Sequence, residues 1–134
     1  MMAKQLSQEG LALLSRQVKA FAYLGLTMAD GTPHVTPLWF DWDGTHIVIN
    51  TARGRVKDKI LKKHPVVGMT ITGDDPYRYL LVRGQVVEET EAGAYETICS
   101  LNEKYHGNYE FPRPPGQVRV TYKILPEKIS EHLG

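Results

Sequence analysis

Leu6, Leu11, Leu14 and Val18 recur at helical spacing behind a capping candidate, Ser7, so the first eighteen residues are expected to form an amphipathic helix. The period of the pattern then shortens. Residues 20–28 are aromatic and apolar, Ala29, Asp30 and Gly31 supply a turn, and residues 33–42 read as a second extended run, which together predict a hairpin. Asp43 and Gly44 make another tight turn into a third strand over residues 45–51. Residues 55–64 return to helical spacing and stop at Pro65, whose ring disfavours a helical residue before it. Residues 66–72 read as a short strand. After the polar loop of Gly73, Asp74, Asp75 and Pro76, a long run over residues 77–88 is interrupted only by Gly84, where a bend is expected. A helix over residues 92–105 and a loop over residues 107–117, rich in proline and aromatics, lead to a last strand in which Val118, Val120, Tyr122 and Ile124 alternate.

Six strands in a largely antiparallel order leave edges that closure would hide, so the expected architecture is mainly β (α+β), a small barrel with helices at its mouth. A length of 134 residues suits one domain, and 42% hydrophobic with 23% charged residues is the composition of a chain that folds. The formal charge of +1 leaves no global field to draw in nucleic acid or an anionic membrane, so any electrostatic function is local. No apolar run approaches the roughly 20 residues of a membrane helix, and the polar residues 1–10 lack the apolar core of a signal peptide, so a cytoplasmic protein is expected. The single cysteine, Cys99, can form no internal disulfide and reads as a small buried residue on a helix.

The chemistry concentrates in residues 50–65, NTARGRVKDKILKKHP, which hold six of the sixteen basic residues. A glycine-containing turn feeding a helix N-terminus offers unpaired backbone N–H groups and a positive dipole end, and both favour an anion. Thr51 adds a hydroxyl donor, and Arg53 and Arg55 add charge. At about 100° per residue, Arg55, Lys59, Lys62 and Lys63 fall on one arc, and Val56, Ile60 and Leu61 fall on the opposite one. Lys57 lands with the apolar group. Burying its charge there is costly unless an anion meets it, which makes Lys57 a candidate phosphate or carboxylate ligand; the other reading is that it snorkels to solvent past Ile60 and Leu61.

A strand ending in Asn50 and Thr51, followed by GRVKDKILKKHP, resembles the flavin-phosphate segment of the pyridoxamine phosphate oxidase superfamily. DPYRYLLVRGQVVEE, residues 75–89, is similar to that group's dimer-interface strand, and GTPHVTPLWFDWDG, residues 31–44, to its ring-binding strand. The resemblance covers nearly the whole chain and is greater to the bacterial flavin and deazaflavin oxidoreductases than to the vitamin oxidases. It implies a six-stranded antiparallel split β-barrel working as a homodimer. By the same resemblance, Thr36, Pro37, Leu38 and Trp39 line the tricyclic ring, and Asn50, Thr51, Arg55 and Lys57 bind the ribityl chain and phosphate. Arg78 and Tyr79 become candidates to reach across the dimer. Val56 replaces the arginine that the vitamin oxidases carry beside the lysine, and their C-terminal substrate-phosphate motif is missing, so oxidation of pyridoxine phosphate is not expected.

The implied cofactor is coenzyme F420 or, as the alternative, FMN. The longer anionic tail of the deazaflavin wants more cations, and Arg53, Lys59, Lys62 and Lys63 could meet it, which favours F420. Hydride transfer to a small unsaturated or aromatic substrate needs only stacking at contact distance. No acid or base is required, and the five histidines, His34, His46, His64, His106 and His132, are scattered without metal-ligand spacing. Tyr77, Tyr79, Tyr105, Tyr109 and Trp39 could wall the substrate pocket or belong to the core. A carrier or regulator that binds the cofactor without turnover is the alternative to an enzyme. Nucleic-acid binding is disfavoured, because no aromatic residue is interleaved with the basic helix for base stacking.

Overall fold

Seven strand segments and three helices make up the computed structural model, which describes residues 6–134. The helix α1 (Gln8–Leu14) is capped by Ser7, whose Oγ accepts from the Gly10 N–H, but it ends at Ser15 and is shorter than its apolar spacing predicts. The expected helix's first five residues lie outside the described ones.

The strands β1 (Phe21–Thr27), β2 (Pro33–Leu38), β3 (Asp41–Trp42), β4 (Ile47–Ala52), β5 (Val66–Thr72), β6 (Tyr79–Thr90) and β7 (Arg119–His132) form one antiparallel sheet in the order β2-β1-β5-β6-β7-β4-β3. It curls into a half-barrel, the split β-barrel architecture. Alternation decides which face is inward: in β1, Ala22, Leu24 and Leu26 are buried and Phe21, Tyr23 and Thr27 are exposed. The core joins these residues to Phe40, Ile47, Ile49, Ile71, Leu80, Val82, Tyr122 and Ile124.

Two departures from the sequence pattern shape the molecule. The expected continuous strand over residues 33–42 breaks at Trp39 and Phe40 into β2 and β3, so six expected strands appear as seven segments. The last strand does not end near Ile124 but continues to His132 beside β6. Pro126 sits opposite Gly84, where the register shifts, so the imino residue falls at an irregularity of the ladder. A Cβ on Gly84 would stand 2.5 Å from the Leu125 carbonyl oxygen, which explains the glycine.

Helix α2 (Val56–Lys63) closes one end of the half-barrel with Ile60 and Leu61. Helix α3 (Ala94–His106) lies against β7 and β4 and carries a second small cluster of Ile98, Leu101 and Tyr105, packed with Trp39, Tyr95 and Phe111. Cys99 is buried on this helix. No helix of the described residues is long and apolar enough to cross a membrane.

Candidate functional site

The end of β4, the first turn of α2, the start of β7, the middle of α3 and the loop after it surround a cavity of about 410 Å³. Leu38, Trp39, Asn50, Thr51, Arg55 and Lys57 line it. Six of the ten residues singled out in the sequence therefore converge on one concave surface.

The turn into α2 is built around a residue the sequence reading passed over. Asp58 is buried, and its carboxylate accepts from the Tyr122 hydroxyl at 2.6 Å, the Gly54 N–H at 2.9 Å and the Arg53 guanidinium at 2.9 Å. Burial alone would push Asp58 up; these three donors outweigh it and hold the carboxyl below the usual range. Gly54 has φ +89, a conformation that suits glycine, and it lets the chain turn from β4 into the helix. Because Asp58 faces inward, Val56 turns out to solvent at 48% exposure, contrary to its expected place on the apolar arc. Lys59, Lys62 and Lys63 are exposed as expected.

Arg53 does not join the free basic arc. It contacts Glu89, donates to Glu91 at 2.8 Å and to Asp58 at 2.9 Å, so its charge is met by three carboxylates. Lys57, by contrast, is half-buried in the cavity wall, and desolvation together with the neighbouring Arg55 lowers its pKa. A third cation completes the group. Arg119, at the first position of β7, is buried, donates its Nε–H to Asn50 Oδ1 at 2.9 Å, and has its pKa lowered to about 10 by burial and by Arg55. Asn50 is fixed from its other end, donating to the Ala94 carbonyl at 2.9 Å and to the Thr121 hydroxyl at 3.1 Å. Among the described residues, the cavity lining holds Arg55, Lys57 and Arg119 and no carboxylate.

The opposite wall is apolar. Ile98 and Leu101 face the cavity from α3, and Phe111, Pro112 and Pro114 from the loop. That loop is tied down: Asn102 donates to the carbonyls of Asn108 at 2.7 Å and Glu110 at 2.9 Å, and the Tyr95 hydroxyl donates to that of Phe111 at 2.8 Å. The guanidinium of Arg119 stands 5.5 Å from the Phe111 ring centre. Trp39 stacks on Tyr105 at 5.3 Å and meets His106 and Phe111 edge-on.

Four singled-out residues lie elsewhere in the chain. Thr36 shares the inner face of β2 with Leu38, and its Oγ1 is buried without a hydrogen-bond partner among the described residues. Pro37 is on the opposite, exposed face. Arg78 contacts the Leu133 carbonyl and pairs with Glu9 at 2.9 Å, and Tyr79 stacks on His132 at 4.7 Å. Of the tyrosines, Tyr105 backs the cavity through Trp39, whereas Tyr77 is 85% exposed. Arg119 escaped the sequence reading although an arginine between Val118 and Val120 in an apolar strand was a signal. Asp58 was legible only as a first-turn acid.

A chemically consistent ligand for this surface carries a phosphate or similar anion at one end and a flat apolar group at the other. Three cations without a carboxylate suit the first, and tryptophan, proline and aliphatic walls suit the second.

Comparisons with known proteins bear on the same surface. A solved F420 reductase is 31% identical, with a TM-score of 0.79 over 93% of this chain and 98% of that one. A conserved hypothetical protein from Mycobacterium tuberculosis is 22% identical, with a TM-score of 0.70 over 95% of this chain and 86% of that one. The general stress protein 26 from Bacillus anthracis is 19% identical, with a TM-score of 0.66 over 96% and 92%. The latter two share the fold. None of the curated proteins matches the sequence. The family model of pyridoxamine 5'-phosphate oxidase matches residues 13–132, which include all seven strand segments and every residue that lines the cavity, and the chain belongs to that family.

Proposed function

We propose that this protein is an oxidoreductase that transfers a hydride between a bound coenzyme F420 and a small unsaturated or aromatic molecule. The observation that carries the reading is the cavity itself, with Arg55, Lys57 and Arg119 at one end and Trp39, Ile98 and Phe111 at the other. The cations hold the phosphate, Asn50 and Thr51 stand at the chain that joins it to the ring, and Leu38 and Trp39 meet the ring. When bound, the cofactor supplies the hydride; the residues around it position it and exclude water. The likeness to an F420 reductase supports the deazaflavin over FMN. Lys59, Lys62 and Lys63 remain exposed beyond the phosphate turn and suit the additional anionic groups of a longer tail. Arg53 is already paired and takes no part there.

The active form is a homodimer. The outer face of the sheet carries two parallel rows, Tyr23, Thr70, Leu81 and Ser130 in one, and Val35, Gly25, Gly68, Arg83 and Lys128 in the next, as the pairing register sets them. The two glycines leave a trough of about 510 Å³ between exposed Tyr23, Val35 and Leu81. Such a surface suits a second copy related by a twofold axis. Tyr79 opens β6, the strand that carries Leu81, Arg78 directly precedes it, and these are the residues through which one copy would complete the other's cavity.

Equilibrium titration with F420 and with FMN tests the cofactor: tenfold tighter F420 binding, about 1.4 kcal/mol, is expected, and equal or reversed affinities reject the choice. Anaerobic mixing of the protein loaded with reduced cofactor against enones and quinones tests the activity. Cofactor absorbance that recovers no faster than in buffer leaves a carrier or regulator.

A further inference from the structure

The break between β2 and β3 is held by two neighbouring side chains from the last turn of α3. Phe40 is fully buried, and its backbone groups, which a continuous strand would place in the ladder, are taken instead by α3. The Phe40 N–H donates to the Tyr105 hydroxyl at 3.3 Å, and the Phe40 carbonyl accepts from the Lys104 ammonium at 2.7 Å. The Tyr105 hydroxyl in turn donates to the Ala20 carbonyl at 2.5 Å, at the entry to β1. Lys104 is 6% exposed, and its ammonium lies 4.2 Å from the Phe40 ring centre and 4.9 Å from that of Tyr105. The nearby carboxylate of Asp41 is held by Arg16 at 2.5 Å, and Arg16 also donates to the Ser100 carbonyl of α3 at 2.9 Å.

A buried ammonium with a backbone carbonyl and two aromatic faces as its partners is costly for a purely structural strut, since a packed apolar side chain would cost less. What it secures is local. The kink that Lys104 and Tyr105 stabilise is the one that brings Trp39 out of the strand and onto the cavity, where its ring lies flat on Tyr105 at 11°. We infer that Lys104 and Tyr105 are positioning residues which, by capturing both backbone groups of Phe40, fix Trp39 as the aromatic wall against which the ring of the ligand stacks. The inference rests on the reading of the cavity as a flavin or deazaflavin site. Its geometric half, the dependence of Trp39 on Lys104, stands apart from that reading.

The test uses full-length protein in a Trp42→Phe background, which leaves Trp39 as the single tryptophan. Lys104→Met should raise acrylamide quenching of Trp39 at least twofold without ligand, and Lys104→Arg should restore it. In the same variants, affinity for F420 or FMN should fall about tenfold with Lys104→Met, while competition by inorganic phosphate at the cation cluster stays within twofold. Should Lys104→Met not fold, Tyr105→Phe keeps the ring and removes only the hydroxyl, and the same two readouts apply. Unchanged quenching in a folded variant overturns the inference, as does a parallel loss of ring and phosphate binding. Altered quenching in a protein that binds neither cofactor before substitution would sink the functional reading and leave the positioning of Trp39 intact.

Discussion

Arg119 and Arg53 are both arginines at the edge of the same turn, and their surroundings give them opposite roles. Arg53 contacts three carboxylates and is raised above the ordinary arginine range, because those hydrogen bonds outweigh its desolvation. Arg119 is buried beside other cations, with one side-chain hydrogen bond to Asn50, and is lowered. A charge kept under such conditions gains most when an anion arrives. Arg119→Met is therefore expected to weaken cofactor binding roughly 10- to 100-fold, the worth of one charge-assisted hydrogen bond, with FMN or F420 titration as the measurement. Lys57→Ala should weaken it in the same direction. Lys104 gives a prediction of another kind. Burial lowers it to about 8 from the 10.5 of a free lysine, with Asp41 raising and Arg16 lowering it to smaller extents. Between pH 8 and 10.5 the unfolded chain holds the extra proton, so raising the pH favours the folded state. The melting temperature of the wild type, taken relative to Lys104→Met at each pH, is expected to rise across that window. A difference that is flat or falls would contradict the burial of a charged lysine.

Strand β6 and strand β7 show how a local irregularity sets the shape of a long element. Their pairing runs from Tyr79 opposite His132 to Thr90 opposite Thr121, with shifts after Arg83 and after Val86. Gly84 lies against the Leu125 backbone at the first shift, and the contact is with main chain that has no rotamer by which to yield. Gly84→Ala is expected to destabilise the protein by about 1–3 kcal/mol in urea unfolding, as other overpacked sites do. The bend at Gly84 was legible in the sequence because glycine in an apolar run has few other reasons to be there. The continuation of β7 was not: Pro126, Glu127 and Lys128 carry no strand signal, and it is pairing with β6 that makes residues 125–132 extended. Helix α2 divides in the same way. Its limits followed from Pro65 and the spacing of Ile60 and Leu61, whereas the inward turn of Asp58 depends on Tyr122, sixty-four residues away. Position on a helical wheel records which residues share a face. It does not record that a buried carboxylate finds three donors.

Seen from outside the half-barrel, the sheet is unevenly finished. Its inner face is filled by the core, while the outer face leaves Tyr23 at 40%, Leu81 at 45% and Val35 at 63% exposure around the glycine trough. Asn50 and Arg119 line the cavity from that same outer face, at its β4–β7 end, where α3 and its loop bound it. A second copy laid against the trough would bury Tyr23, Val35 and Leu81. With Tyr79 opening the strand that carries Leu81 and Arg78 directly before it, the same contact would extend toward a cavity wall. Dimerisation and cofactor affinity are therefore expected to fall together. Leu81→Arg places a charge in the middle of the exposed row without touching the residues that line the cavity. Sedimentation at micromolar concentration should show wild-type dimers and Leu81→Arg monomers, and the monomer should bind F420 at least tenfold more weakly. A variant that becomes monomeric yet keeps full affinity would establish that each chain holds its ligand alone, and would remove Arg78 and Tyr79 from the site.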